Sequence, residues 1–227
     1  MTKEEVQDII EWDIENWKHA LLFWETELPK DLTNLKCLEI GGRRGGPSLW
    51  LALQGHSVVC SDLENPKEHA QVLHQKHSVD HLISYEAINA LEVPYTETFD
   101  LVVFKSIIGG ISRSGQDEVK KKIIDQAYKA LKPGGILLFA ENLESSFLHT
   151  FARKRFVKWG AEWNYLRYNE IPTIFGDFSS LNYETIGFFG AFGRSEKQRR
   201  ILGKLDRFLK IFIPKSKRYI VYGIAVK

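Results

Sequence analysis

The feature that most restricts this chain is a cluster of four glycines, Gly41, Gly42, Gly45 and Gly46. It lies directly behind the apolar run Lys36-Cys-Leu-Glu-Ile40 and directly ahead of a stretch opening on Pro47. The apolar run has the length and composition of a strand. Glycines let the chain turn sharply and let a ligand approach the backbone. Proline is well placed in the first turn of a helix. The N-terminus of such a helix presents free amide hydrogens toward whatever the turn encloses.

The rest of the chain repeats this logic. Pro47 to Gln54 is predicted to be a helix stopped by Gly55, and His56 to Ser61 a second strand closed by Asp62. Glu64 to Lys76 reads as a polar helix, Leu82 to Ala87 as a third strand and Phe99 to Lys105 as a fourth. Asp117 to Leu131 carries Val119, Ile123, Ala127 and Leu131 on one helical side. Lys132-Pro-Gly-Gly135 then turns into a fifth strand, Ile136 to Ala140. Strands alternating with helices through short loops imply a parallel sheet covered on both faces. Ahead of all this, Ile10, Ile14, Trp17, Leu21, Trp24 and Leu28 alternate spacings of four and three. That predicts one helix over residues 3–28, closed by Pro29 and Asp31. Behind it, Tyr183 to Phe188 and Tyr219 to Val226 alternate as strands do, with a basic stretch of helical spacing between them.

Composition narrows the class. With 227 residues, 44% hydrophobic and 26% charged, the chain fits one globular domain. No apolar run reaches the ~18 residues of a membrane span. Met-Thr-Lys-Glu-Glu lacks the pattern of a signal peptide, so a cytoplasmic location is expected. Cys37 and Cys60 each stand two residues before an acid that ends its run, Glu39 or Asp62. On neighbouring parallel strands they are expected to lie side by side as reduced core thiols.

Taken in order, the motifs resemble those of class I S-adenosylmethionine-dependent methyltransferases. That family's first strand ends in an acid and three alternating glycines, matched here by Glu39, Gly41, Arg43 and Gly45. Asp62 matches the acid, about twenty residues on, that holds ribose hydroxyls. Asn89-Ala90 matches the short polar pair flanking adenine. Phe99-Asp-Leu-Val-Val matches the fourth strand, and Leu131-Lys-Pro-Gly-Gly-Ile-Leu-Leu the turn into the fifth. The matches cover roughly residues 36–141. Arg43 departs from the pattern by replacing the middle glycine, and it also breaks the Gly-x-Gly-x-x-Gly dinucleotide fingerprint.

The resemblance implies a Rossmann-like three-layer sandwich, with a seven-stranded, mostly parallel sheet and an antiparallel last strand. It implies S-adenosylmethionine as cofactor, held by Glu39, Gly41, Gly42, Arg43, Gly45, Asp62, Leu63, Asn89, Ala90 and Lys105. It divides a single domain 1–227 into a helical cap (1–30), a cofactor core (36–141) and an acceptor-side region (142–227). Either Arg43 or Arg44 is suited to the cofactor's carboxylate; the alternative is that both face solvent.

Lys105-Ser106 and Glu141-Asn142 end the fourth and fifth strands, beyond which ligands sit in open α/β sheets. In-line methyl transfer needs mainly positioning, and a base only for a poorly acidic hydroxyl. His149, then Glu141, are the candidates for that base, and Glu170 is a further polar residue on this side. Trp12 lies off the apolar stripe of the first helix and is a candidate to close over the site. Trp17 and Trp24 belong to the stripe. His74, His77 and His81 are expected on a solvated helix face, with no metal.

Residues 147–168 interleave basic and aromatic side chains, a pattern suited to sugars, bases and phosphates. The formal charge is only +2, yet Arg194 to Arg218 alone carries +8. Within it, Ile201, Leu205, Phe208 and Phe212 share a helical face. Segment 199–213 therefore either packs on the domain by that face or lies on an anionic membrane. No Asn/Asp-Pro-Pro-Tyr/Phe follows the fourth strand, which argues against nucleic acid as substrate. The expected acceptor is a small molecule or glycan, methylated at oxygen; a lipid-linked glycan would reconcile the aromatic stretch with the basic, partly apolar tail. The runs Val102-Val-Phe-Lys-Ser-Ile-Ile-Gly-Gly110, Phe139-Ala-Glu-Asn142 and Gly190-Ala-Phe-Gly193 are similar to bacterial methyltransferases of surface-polysaccharide clusters. An RNA or DNA methyltransferase and a non-catalytic cofactor-binding protein stay open as alternatives.

Overall fold

The computed structural model describes residues 1–113, 116–157 and 162–227. Among these, the strands are β1 (Lys36–Ile40), β2 (Ser57–Asp62), β3 (Ile83–Ala87), β4 (Phe99–Lys105), β5 (Leu131–Asn142), β6 (Ser180–Ile186) and β7 (Ile220–Val226). They form one sheet in the order β3-β2-β1-β4-β5-β7-β6. β1 to β5 run parallel, and β7 is antiparallel to both its neighbours. The helices are α1 (Lys3–Ile10), α2 (Ile14–Glu27), α3 (Gly46–Ala52), α4 (Lys67–Lys76), α5 (Ile108–Ile111), α6 (Asp117–Ala130), α7 (Phe147–Phe156), α8 (Ile171–Ile174) and α9 (Glu196–Leu209). This is the three-layer architecture that the motifs imply.

Side chains of a strand alternate between faces, and here both faces are covered, so the central strands read as continuous apolar runs. On one face Cys37, Cys60, Leu101, Val103 and Leu138 pack with Ile9, Trp17, Leu21, Trp24 and Leu49 of α1, α2 and α3. On the other, Leu38, Ile40, Val102, Phe104 and Phe139 pack with Ile123 and Ala127 of α6 and with Phe175. Trp17 and Trp24 are core, as their place on the stripe predicts. The Trp24 indole also donates to Gly223 O of β7 at 3.0 Å.

Three expectations need correction. The thiols do not lie side by side: the β1–β2 register sets Cys37 opposite Val58 and Cys60 opposite Glu39. β5 begins at Leu131 rather than Ile136. It pairs with β4 at Phe99↔Leu131 and resumes at Leu101↔Ile136, so Lys132 to Gly135 bulge out between two paired positions.

The third correction concerns the N-terminal helix, which is two helices. Glu11 (φ 71°) and Asp13 (φ 45°) break it. The apolar spacing runs across the break because both pieces pack on the same layer. What stabilises the break comes from far along the chain. Lys105 Nζ donates to Ile10 O at 3.1 Å, capping the end of α1. Glu196 of α9 accepts from Asp13 N (2.9 Å) and Ile14 N (3.4 Å), capping the start of α2. An N–H donor at a helix C-terminus and a carboxylate at an N-terminus satisfy the free carbonyl and amide groups there.

A buried polar cluster then ties α2, α9 and β7 together. Asn16 Nδ2 donates to Asp206 at 3.2 Å and meets the Tyr219 hydroxyl at 2.9 Å, and Tyr219 donates to Asp13. Asp206 also accepts from Phe189 N and Gly190 N. Burial pushes the Asp13 carboxyl up to about 7.

Candidate functional site

β1 and β4 are neighbours, yet the chain leaves β1 toward one face through α3 and leaves β4 toward the other through α5 and α6. Such a switch point opens a crevice beyond the carboxyl ends of the two strands. The glycine turn lines one side of it. Gly41 and Gly45 both have φ of 71°. A Cβ on Gly41 would come within 2.5 Å of Ile107, and one on Gly45 within 2.5 Å of the His74 ring. Arg43, where the motif has its middle glycine, keeps the glycine backbone shape, with φ 43°. The turn geometry therefore survives the substitution at the cost of a left-handed arginine.

Asp62, at the end of β2, closes the turn. Its Oδ2 accepts from Arg43 N at 2.8 Å and its Oδ1 from Leu63 N at 2.7 Å. Ile88 N donates to Asp62 O at 2.7 Å, which brings Asn89 and Ala90 to the same edge. Asn89 is exposed with its Oδ1 accepting from Leu91 N; Ala90 is buried and Leu63 is exposed. The Arg43 side chain faces solvent, while Arg44 pairs with Glu11 at 3.2 Å.

Glu39 is buried at the base of the turn. Its Oε2 accepts from Ser48 N at 3.0 Å, from the Ser48 hydroxyl, and from the Cys60 thiol at 3.6 Å. The Oε1 atom takes none of these bonds. Burial pushes this carboxyl up to about 7, against the pull of the Ser48 bonds.

His74 is the residue the sequence reading misplaced most. It is buried under the glycine turn, not on a solvated face. Its Nε2–H donates to Gly45 O at 2.9 Å, so Nδ1 accepts from the Tyr85 hydroxyl at 2.8 Å. Burial lowers its pKa and keeps it neutral in that role. The available signal was Ala70, one helical turn earlier, which is also buried beneath Gly45. His77 instead pairs with Asp8 at 2.7 Å, tethering α1. Among the described residues no group of three or more His, Cys, Asp or Glu could hold a metal ion.

The far side of the crevice is built by β4 and β5. Ser106 (φ 60°) donates its N–H to Ala140 O at 2.8 Å, and its hydroxyl accepts from Asn142 Nδ2 at 2.6 Å. Lys105 sits beside them, its Nζ 6.0 Å from the Trp12 ring and 5.6 Å from Trp17. Burial lowers its pKa, against Glu11, Glu39 and Glu141. Trp12, partly exposed and edge-on to Trp17 at 5.0 Å, reaches this edge because the α1–α2 break turns it there.

Neither expected base is free to act as one. Glu141 accepts from Ile108 N and from Asn142 N, both at 2.7 Å. It caps α5 and fixes Asn142, while burial pushes its carboxyl up to about 7. His149 is buried as well. Its Nε2–H donates to Phe188 O at 2.9 Å, and its Nδ1 accepts from the Ser146 hydroxyl at 2.7 Å. Both residues are committed inside the fold. Glu170 is likewise an anchor, paired with Lys120 at 3.1 Å.

Within the aromatic and basic stretch, residues 158–161, including Lys158 and Trp159, lie outside the described residues. Of the rest, the Arg153 guanidinium stacks 3.9 Å over the Tyr165 ring and donates to Leu143 O at 2.8 Å. Trp163 packs against Gly109 and Gly110, just past the end of β4.

The sequence pattern of the methyltransferase domain family matches residues 10–187, and the chain belongs to that family. No curated protein matches by sequence. Among solved structures, phosphoethanolamine N-methyltransferase 2 of Haemonchus contortus, in complex with S-adenosyl-L-methionine, is similar. Its TM-score is 0.65 at 19% identity, over 99% of this chain and 56% of that one. This chain thus spans little more than half of that enzyme. An O-methyltransferase fold from Nostoc punctiforme gives 0.63 at 15% identity, covering 98% of this chain and 60% of that one. The [4+2]-cyclase SpnF gives 0.65 at 14% identity, covering 94% and 80%. At these identities the likeness is one of fold.

Proposed function

We propose that the chain transfers a methyl group from S-adenosylmethionine to a hydroxyl of a small molecule or glycan. The observation that carries the cofactor reading is the pair of carboxylates on either side of the glycine turn. Among the described residues no hydrogen bond reaches Glu39 Oε1, and Asp62, at the end of β2, turns both oxygens toward the loop. Glu39 would meet the methionine ammonium, Asp62 the ribose hydroxyls, and Asn89 and Ala90 the adenine edge. The bound cofactor supplies an electrophilic methyl on a sulfonium.

The acceptor side falls to Ser106 and Asn142, a neutral hydrogen-bonding pair at the ends of β4 and β5. Neutral donors and acceptors suit a hydroxyl. The oxygen–carbon bond forms as the sulfur–carbon bond breaks, and the hydroxyl proton leaves. Lys105 precedes Ser106 at the end of β4, and among the described residues its Nζ makes a single hydrogen bond, to Ile10 O. Its lowered pKa suits it to take the proton. A glycan is our first choice among acceptors, on the sequence runs from Val102, Phe139 and Gly190 that are similar to those of surface-polysaccharide methyltransferases. A cofactor-binding protein of other chemistry is the second reading, favoured by the engagement of both Glu141 and His149 within the fold.

Calorimetric titration with S-adenosylmethionine and with its demethylated product tests the cofactor reading. Methyl-labelled cofactor incubated with sugar and small-hydroxyl acceptors tests the reaction. Micromolar binding, with label transferred by wild type and not by Lys105→Met, is the expected result. Binding without transfer to any acceptor favours the second reading, and no binding of either ligand removes both.

A further inference from the structure

We infer that α7 and α9 together form a docking surface for an anionic lipid bilayer. α9 packs on the body of the protein by its polar side. Asp206 and Gly203 are buried against α2, and Glu196 is turned in to cap it. The apolar stripe therefore faces outward. On α9 Ile201 is 62% exposed and Phe208 77%, and in the turn that follows Ile211 is 83% and Phe212 72%. An amphipathic helix normally buries this stripe in its own domain. Here the buried polar cluster of Asn16, Asp206 and Tyr219 holds the opposite side down.

The same surface continues onto α7, where Phe147, Phe151 and Phe156 are also exposed. The two helices join at Arg194, whose guanidinium lies 5.8 Å over the Phe156 ring, and at Phe192, which packs on His149 of α7. A shallow groove lined by Phe192, Arg194, Gln198, Ile201 and Leu202 lies along the first half of α9 and the turn before it.

Charge decides the occupant. Lys197, Arg200, Lys204 and Arg207 flank the stripe and are exposed, with no ion-pair partner among the described residues. The two acids of α9 are directed inward, so the outer face carries only positive charge beside its apolar groups. A second copy of this face would be repelled by the first. A bilayer offers anionic headgroups to the cations and acyl chains to the phenylalanines at the same depth. Among the described residues no helix is long and apolar enough to cross a membrane, so the contact is peripheral. α7 begins just past Asn142, which sets this surface beside the acceptor end of the crevice.

The test is co-sedimentation of the full chain with vesicles of phosphatidylcholine alone and of phosphatidylcholine mixed with phosphatidylglycerol. Wild type should pellet with the anionic vesicles at low salt, not with neutral ones, and should be released by high salt. The double variant Phe208→Ser, Phe212→Ser should bind at least ~10-fold more weakly. The triple variant Arg200→Glu, Lys204→Glu, Arg207→Glu should lose at least ~100-fold, since each cation near the surface is worth about fivefold. Circular dichroism and melting temperature check that both variants fold. Failure of wild type to pellet with anionic vesicles overturns the inference, whether or not the chain then retains single-stranded RNA. So does unchanged vesicle binding in the variants, or a wild-type dimer that the phenylalanine replacements dissociate.

Discussion

Replacing Glu39 by glutamine removes a titratable group from beneath the glycine turn while keeping its shape and its acceptor for Ser48. Burial raises this carboxyl from 4.5 to about 7. At ~1.4 kcal/mol per tenfold change in ionisation constant, the ionised form costs the fold about 3 kcal/mol. The folded value lies above the unfolded one. The penalty is therefore absent below the unfolded value, grows as pH rises from there, and is complete once pH passes about 7. Glutamine does not titrate. Denaturant unfolding of both proteins at about pH 5 and about pH 8.5 reads the difference. Because pH 5 already lies a little above the unfolded value, the variant should gain about 2.5 kcal/mol on wild type between those conditions. Asp13 and Glu141 are raised to about 7 by burial too, but they contribute to both curves and cancel. Parallel pH profiles would refute the reasoning. Cofactor binding gives a second readout. Wild-type affinity should climb as pH approaches 7 and Glu39 ionises to meet the ammonium, whereas the variant should bind weakly and without that slope.

Asp62→Ala should weaken S-adenosylmethionine binding about 10–100-fold by calorimetry, since charge-assisted hydrogen bonds to the ribose are lost. Arg43→Gly relieves a left-handed arginine and should raise stability by up to about 1 kcal/mol in thermal denaturation; a fall would mean the side chain holds the loop. His74→Phe deprives Tyr85 and Gly45 of their shared partner and should cost about 1–2 kcal/mol in urea unfolding, with weaker cofactor binding. Asp13→Asn removes a carboxyl whose folded pKa is raised by burial. The variant should gain on wild type as pH rises from about 4 to about 7 and level off above that, measured as melting temperature against pH.

The alternation of apolar runs with helical spacing was enough to specify a parallel sheet covered on both faces. Those signals are local: strand and helix periodicity, glycine in a tight turn, proline in a first turn. The glycine turn and the two acids beside it were legible for the same reason, because Glu39, Gly41, Gly45 and Asp62 sit at strand ends that local pattern identifies. What local pattern cannot carry is the identity of a distant partner. The break at Glu11 to Asp13 is capped by Lys105 and Glu196, so the spacing of Ile10, Ile14 and Trp17 passed over it unmarked. The registry of β1 on β2 placed Cys60 against Glu39. Whether a histidine has a free nitrogen depended on Gly45 and Tyr85 for His74, and on Ser146 and Phe188 for His149. The stripe of α9 was visible in the sequence, but its direction was not. A helix with one apolar and one polar face can turn either inward, and the buried hydrogen bonds of Asp206 and Asn16, formed across the tertiary structure, turned the polar one in.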